Sequence, residues 1–128
     1  PVAEPAPEAP KALFDIHDLR DRLAGDEEIV RDVLTVFLEE RERTLAELAG
    51  AVESGDAAAV RAAAHGLKGV ALSVAAGEVR ELCLELERVG ADGDLSRAGE
   101  LLPGLVAAVQ RTARAIKDYL ARGEGTGT

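Results

Sequence analysis

A core for this chain has to be built almost without aromatic rings: its 128 residues include two Phe, one Tyr and no Trp, although 47% are apolar. Leu, Val and Ala must fill the interior, which suits helix packed on helix better than a pleated sheet. Ala is the strongest helix former, and apolar residues recur at helical spacing in every long segment. The length fits one domain around one core. These features predict an all-α fold.

Capping residues and glycines divide the chain further. Asp15 can cap a short helix reaching residue 23 and closed by Gly25. Asp26 caps a long helix with Glu27 and Glu28 in its positive first turn, Val30, Leu34, Phe37, Leu45, Leu48 and Val52 inward, and Gly55 as its stop. Asp56 opens a third helix over residues 57–75, in which Val60, Ala64, Leu67, Ala71 and Val74 form one buried face. After an interruption near Ala76 and Gly77, a fourth carries Val79, Leu82, Cys83, Leu86 and Val89. Residues 90–94 read as a turn. The last helix spans residues 95–122 with Leu105, Val109, Ile116 and Leu120 inward, and Pro103 either kinks it or marks its true start. Short connections favour antiparallel neighbours, so residues 13–122 are expected to form an up-down-up-down four-helix bundle with a short N-terminal helix. Residues 1–12, rich in Pro and Ala, read as a linker, and residues 123–128 as a flexible tail. Such a linker suits either a module of a multidomain chain or a natural tail.

The formal net charge of −9, with no basic block and no aromatic stacking platform, argues against nucleic acid as a partner. Cys83, the single cysteine, cannot form an internal disulfide and lies on an apolar helix face, as a buried structural thiol would. No apolar run approaches the ~20 residues of a membrane span, and no signal-peptide pattern opens the sequence. A cytoplasmic location is expected, either as a free domain or as a module of a membrane-anchored protein.

The third helix contains His65-Gly66-Leu67-Lys68-Gly69, and each interior glycine costs it roughly 1 kcal/mol relative to Ala. At helical geometry His65 points roughly 140° away from the buried seam, with Ala58, Ala62 and Gly69 beside it and Arg61, Lys68 and Leu72 flanking. Gly66 lies nearer the flank of the seam, where it either serves packing or is merely tolerated. One reading of His65 is an ordinary surface imidazole. A metal ligand is a second, but no His or Cys follows at i+4. The third is a nucleophile that carries a phosphoryl group, since an exposed imidazole is mostly the neutral base at neutral pH. Lys68 would then offset charge on the phosphoryl oxygens, and Gly69 would leave them room. The third reading alone gives the glycines a cause, although a helix break or a close helix crossing also uses glycine.

Elsewhere, His17 reads as a surface residue, and the acidic residues lie along polar faces without converging on a catalytic base. No triad, paired-carboxylate or phosphate-loop motif is present. The chain is therefore not expected to act as a kinase by itself or to hold a metal or cofactor. Any phosphoryl group must arrive from another protein.

The five-residue run resembles the His-x-Leu-Lys-Gly core of the histidine phosphotransfer (HPt) domains of bacterial multistep phosphorelays. Val79, Cys83 and Leu86-Glu87 fall where such domains tend to have an apolar residue, a cysteine and a Leu-Glu pair, so the resemblance spans about residues 13–122. Val70 stands where many members have a small polar residue, and Ala75 where a glycine often follows the helix. Loss of that hydroxyl is expected to tune transfer. The resemblance implies that His65 accepts a phosphoryl group from a receiver-domain aspartate and passes it to another receiver, or runs the reverse. It also implies that Mg²⁺ sits on the receiver, and that the receiver docks on Ala58, Ala62, Gly69 and Leu72 with Arg61 and Lys68 at the edge. A monomer is expected. The alternatives are a module that docks a receiver without carrying phosphate, and a purely structural spacer bundle.

Overall fold

Four of the five helices begin where an aspartate satisfies the free N–H groups of a first turn. Asp15 accepts from the Asp18 N–H at 3.0 Å, Asp26 from Ile29 at 3.2 Å, Asp56 from Ala59 at 3.0 Å and Asp94 from Arg97 at 3.0 Å. In the computed structural model, which describes residues 14–126, these caps open α1 (Ile16–Arg22), α2 (Glu27–Ser54), α3 (Ala57–Ser73) and α5 (Leu95–Thr126). The fourth in order, α4 (Gly77–Asp92), starts at Ala76 with no side-chain cap. There is no strand among the described residues. The expected linker, residues 1–12, lies outside them.

The α2, α3, α4 and α5 helices pack in a ring, each against the next and α5 against α2, as antiparallel neighbours. Phe37, Leu34, Leu48, Leu67, Leu86, Leu105 and Ile116 are fully buried between them. At 1.5 Å per residue, α2 is about 42 Å long and α3 about 25 Å, so the outer pair of long helices outruns the α3–α4 hairpin. The α1 helix fills that end. Its preceding Asp15 N–H donates to the Ala75 carbonyl at 2.9 Å, and Arg22 Nη1 donates to the Leu72 carbonyl at 2.9 Å. Tyr119 of α5 completes the junction: its hydroxyl donates to Glu27 of α2 at 2.7 Å and accepts from Arg20 of α1 at 2.7 Å. Phe14 meets the same ring edge-on at 6.0 Å.

Besides shifts of one residue at the end of α1 and two at the end of α3, three features differ from expectation. The turn at residues 90–94 shrinks to Gly93 and Asp94, because Gly90 stays helical. A Cβ on Gly90 would stand 2.9 Å from the Arg61 backbone nitrogen, so this glycine permits close crossing of α3 and α4. Pro103 does not start α5, which the Asp94 cap opens nine residues earlier at the cap itself; the proline sits on the exposed face of the helix. Finally, α5 continues to Thr126, beyond the expected boundary at residue 122, and residues 127–128 lie outside the described chain. The glycines near that end weaken a helix without stopping it.

Ala75, between α3 and α4, has φ +56. The left-handed conformation for which glycine is usual is thus held by alanine, at a cost of roughly 1 kcal/mol.

Candidate functional site

The inward residues Val60, Ala64, Leu67 and Ala71 of α3, and Val74 at its C-cap, are all fully buried, and this seam turns His65 to the outside. The imidazole is 69% exposed. Gly69, one turn on, has open space where a Cβ would be, and so has Gly66. Gly66 therefore serves no packing and is merely tolerated. The close crossing belongs to Gly90 instead.

Glu87 of α4 reaches the site from across the hairpin. The His65 Nδ1 lies 2.7 Å from Glu87 Oε2, and the Lys68 ammonium lies 2.8 Å from Oε1. The lysine contact is charge against charge, since Oε1 has no aligned hydrogen bond. Glu87 and Lys68 are mostly buried, at 18% and 20% exposure. The Lys68 ammonium, against the cost of burial and with help from His65, holds the Glu87 carboxyl below the usual carboxylate range. An ionised carboxylate only accepts, so Nδ1 must be the nitrogen that carries hydrogen and donates. The lone pair of the neutral ring is left on Nε2, the nitrogen directed away from Glu87.

The expectation that no acid converges on a base is thereby corrected. Glu87 lies 22 residues from His65, so no motif window on one helix contains the pair. The hairpin itself supplies a signal: eleven residues back from Ala76 is His65, and eleven forward is Glu87. Below them Cys83 is fully buried. Burial first, and then the Glu87 carboxylate, push its thiol up to about 12, with Lys68 opposing.

The other expected surface residues distribute around the ring. Ala58, Ala62 and Arg61 are exposed, and Arg61 lends its backbone to the Gly90 crossing. Leu72 is 43% exposed. It borders a groove with Asp18 and Arg22 of α1, Ala75, and Arg80 of α4. Val70 is half-buried against the core, roughly 140° around α3 from His65, so a hydroxyl there would not face the imidazole. His17 is exposed on α1. Among the described residues no group of three or more His, Cys, Asp or Glu is placed to hold a metal ion, and no helix is long and apolar enough to cross a membrane.

An exposed imidazole with one nitrogen tied down by a carboxylate that also holds an ammonium is an arrangement suited to carrying a group on the other nitrogen. The sequence profile described as "Hpt domain" matches residues 32–122. The chain belongs to the Hpt domain family. As an Hpt domain it is a histidine phosphotransfer module of phosphorelays, with the helical architecture of that family. It is similar to the crystal structure of histidine-containing phosphotransfer protein B (HptB) from Pseudomonas aeruginosa PAO1, with a TM-score of 0.81 and 27% identity. That likeness covers 88% of this chain and 97% of the other. No curated protein matches this Hpt domain.

Proposed function

We propose that His65 carries the phosphoryl group, on Nε2. The observation behind this reading is the Glu87–His65 contact of 2.7 Å, which occupies Nδ1 and leaves the exposed nitrogen as the nucleophile. The Nε2 lone pair attacks phosphorus of an aspartyl phosphate on a receiver domain, and the carboxylate departs in line with the bond-forming pair. Attack by a second receiver's aspartate returns the electron pair to Nε2. This Hpt domain contributes position and charge: Lys68, one turn from His65 and held by Glu87 in this structure, would reach the phosphoryl oxygens, and Gly69 leaves them space. The divalent cation of such transfer belongs to the receiver. Ala58, Ala62 and Leu72 form the low-relief surface on which a receiver docks, with Arg61 at its rim.

The test is transfer from a phosphorylated receiver to the purified domain, native and His65→Gln. Acid-labile, alkali-stable label on the native chain alone is the expected result. Binding of several receivers with no label on the native chain would make this a docking module.

A further inference from the structure

Phosphorylation changes the protonation chemistry of the imidazole, and Glu87 lies against the nitrogen where the change falls. A neutral imidazole with hydrogen on Nδ1 has its lone pair on Nε2. When Nε2 bonds to phosphorus and Nδ1 keeps its hydrogen, the ring becomes an imidazolium. If Nδ1 then loses the proton, the ring is neutral, and transfer out would have to expel an imidazolate anion, a far poorer leaving group. Whether the phosphoryl group stays transferable therefore depends on a single proton at Nδ1.

We propose that Glu87 is a positioning residue that retains this proton on phosphorylated His65, keeping the group ready to leave. The inference rests on the reading that His65 is the phosphorylated residue. Transfer then balances without acid or base. On the way in, the P–N bond forms, the receiver's P–O bond breaks, and the aspartate leaves as a carboxylate. On the way out, the P–N bond breaks, its electron pair returns to Nε2, and neutral imidazole remains, with the Nδ1 proton in place throughout. A carboxylate at hydrogen-bond distance favours the cationic ring as an opposite charge does.

The surroundings concentrate this effect on Glu87. From α3, His65 and Lys68 face its carboxylate. On α4 the titratable or charged neighbours are the Cys83 thiol, buried and neutral, and Arg88, exposed to solvent. Arg61 of α3 is also exposed. Arg97 of α5 pairs instead with Glu85, roughly 160° around α4 from Glu87. Lys68 neutralises part of the Glu87 charge in this structure. A phosphoryl group carries more negative charge than a carboxylate, so it competes for that ammonium and strengthens the hold of Glu87 on the ring.

The experiment phosphorylates ¹⁵N-histidine-labelled full chain with phosphoramidate, which needs no receiver, and follows ring nitrogens by NMR against pH in native protein and Glu87→Gln. Native phosphorylated His65 is expected to keep a protonated Nδ1 at about pH 8, and the variant to lose that proton at a pH lower by about one unit or more. Transfer from the variant to a receiver should be slower at pH 8, by up to about tenfold for each pH unit by which the proton is lost earlier, and recover toward the native rate near pH 6, where water supplies the proton. A bare Nδ1 in the native phosphoprotein at pH 8, which requires no variant to detect, overturns the proposal. So does a variant deficit that is the same at both pH values, which marks a packing or docking role. If phosphoramidate and receivers leave His65 unmodified, the reading beneath it fails as well.

Discussion

Gly90 of α4 lies so close to Arg61 of α3 that a Cβ on the glycine would stand 2.9 Å from the arginine's backbone nitrogen and 3.1 Å from its Cα. Backbone cannot move aside as a flexible side chain can, so Gly90→Ala should force α3 and α4 apart. The expected loss is about 1–3 kcal/mol from overpacking, less the roughly 1 kcal/mol that alanine returns as a helix former. Gly66→Ala is the control: a Cβ there meets nothing, and stability should rise by up to about 1 kcal/mol. Urea unfolding of the two variants checks the contrast in sign.

Gly69→Val separates folding from function. The added side chain has open space, and valine is no worse a helix residue than glycine, so the unfolding free energy should change by less than about 0.5 kcal/mol. The same side chain stands one turn from His65 and should slow phosphoryl transfer by at least tenfold. A circular dichroism spectrum showing global unfolding would contradict the outward placement of Gly69.

Cys83 should resist thiol reagents in the native state and react promptly in denaturant, because its thiol is fully buried and pushed up to about 12. The consequence for pH follows from linkage. An unfolded thiol releases its proton near ~8.5, while the folded one still holds it. The stabilisation from the neutral buried thiol is thus complete below that value and is lost as pH rises toward 12. Cys83→Ala, compared with native protein over this alkaline window, should lower stability near neutral pH through the lost packing, and should decline less steeply as pH rises.

Tyr119→Phe deletes a hydroxyl that both donates to Glu27 and accepts from Arg20, leaving the ring against Phe14. The expected cost is about 1–2 kcal/mol. It should appear as faster amide exchange in α1, with labelling of His65 unchanged.

Most of the fold was legible because its punctuation is local. Asp15, Asp26 and Asp56 cap helices from within four residues, and Gly55 adopts the left-handed stop at φ +74. Gly90 was not legible as a helical residue, because its reason is the approach of another helix; beside Gly93 it reads as part of a turn. The inner face of α3 followed from periodicity, and with it the exposure of His65. Glu87 reached the sequence reading only through its resemblance to a Leu-Glu pair. Its partnership with His65 depends on hairpin register, a tertiary property that neither helix contains alone.

The unequal helix lengths have a mutational consequence. His65 and Glu87 belong to the half of the molecule where four helices run together, whereas Arg20, Glu27 and Tyr119 clasp the half where α2 and α5 extend past the hairpin. Leu72, whose carbonyl accepts from Arg22 of α1, is already about 10 Å along the helix axis from His65. Groups that far apart and sharing no partner perturb stability independently. Substitutions in the clasp and at the phosphoryl site should therefore be additive, so that the domain can be strengthened or weakened at one end while the chemistry at the other varies on its own.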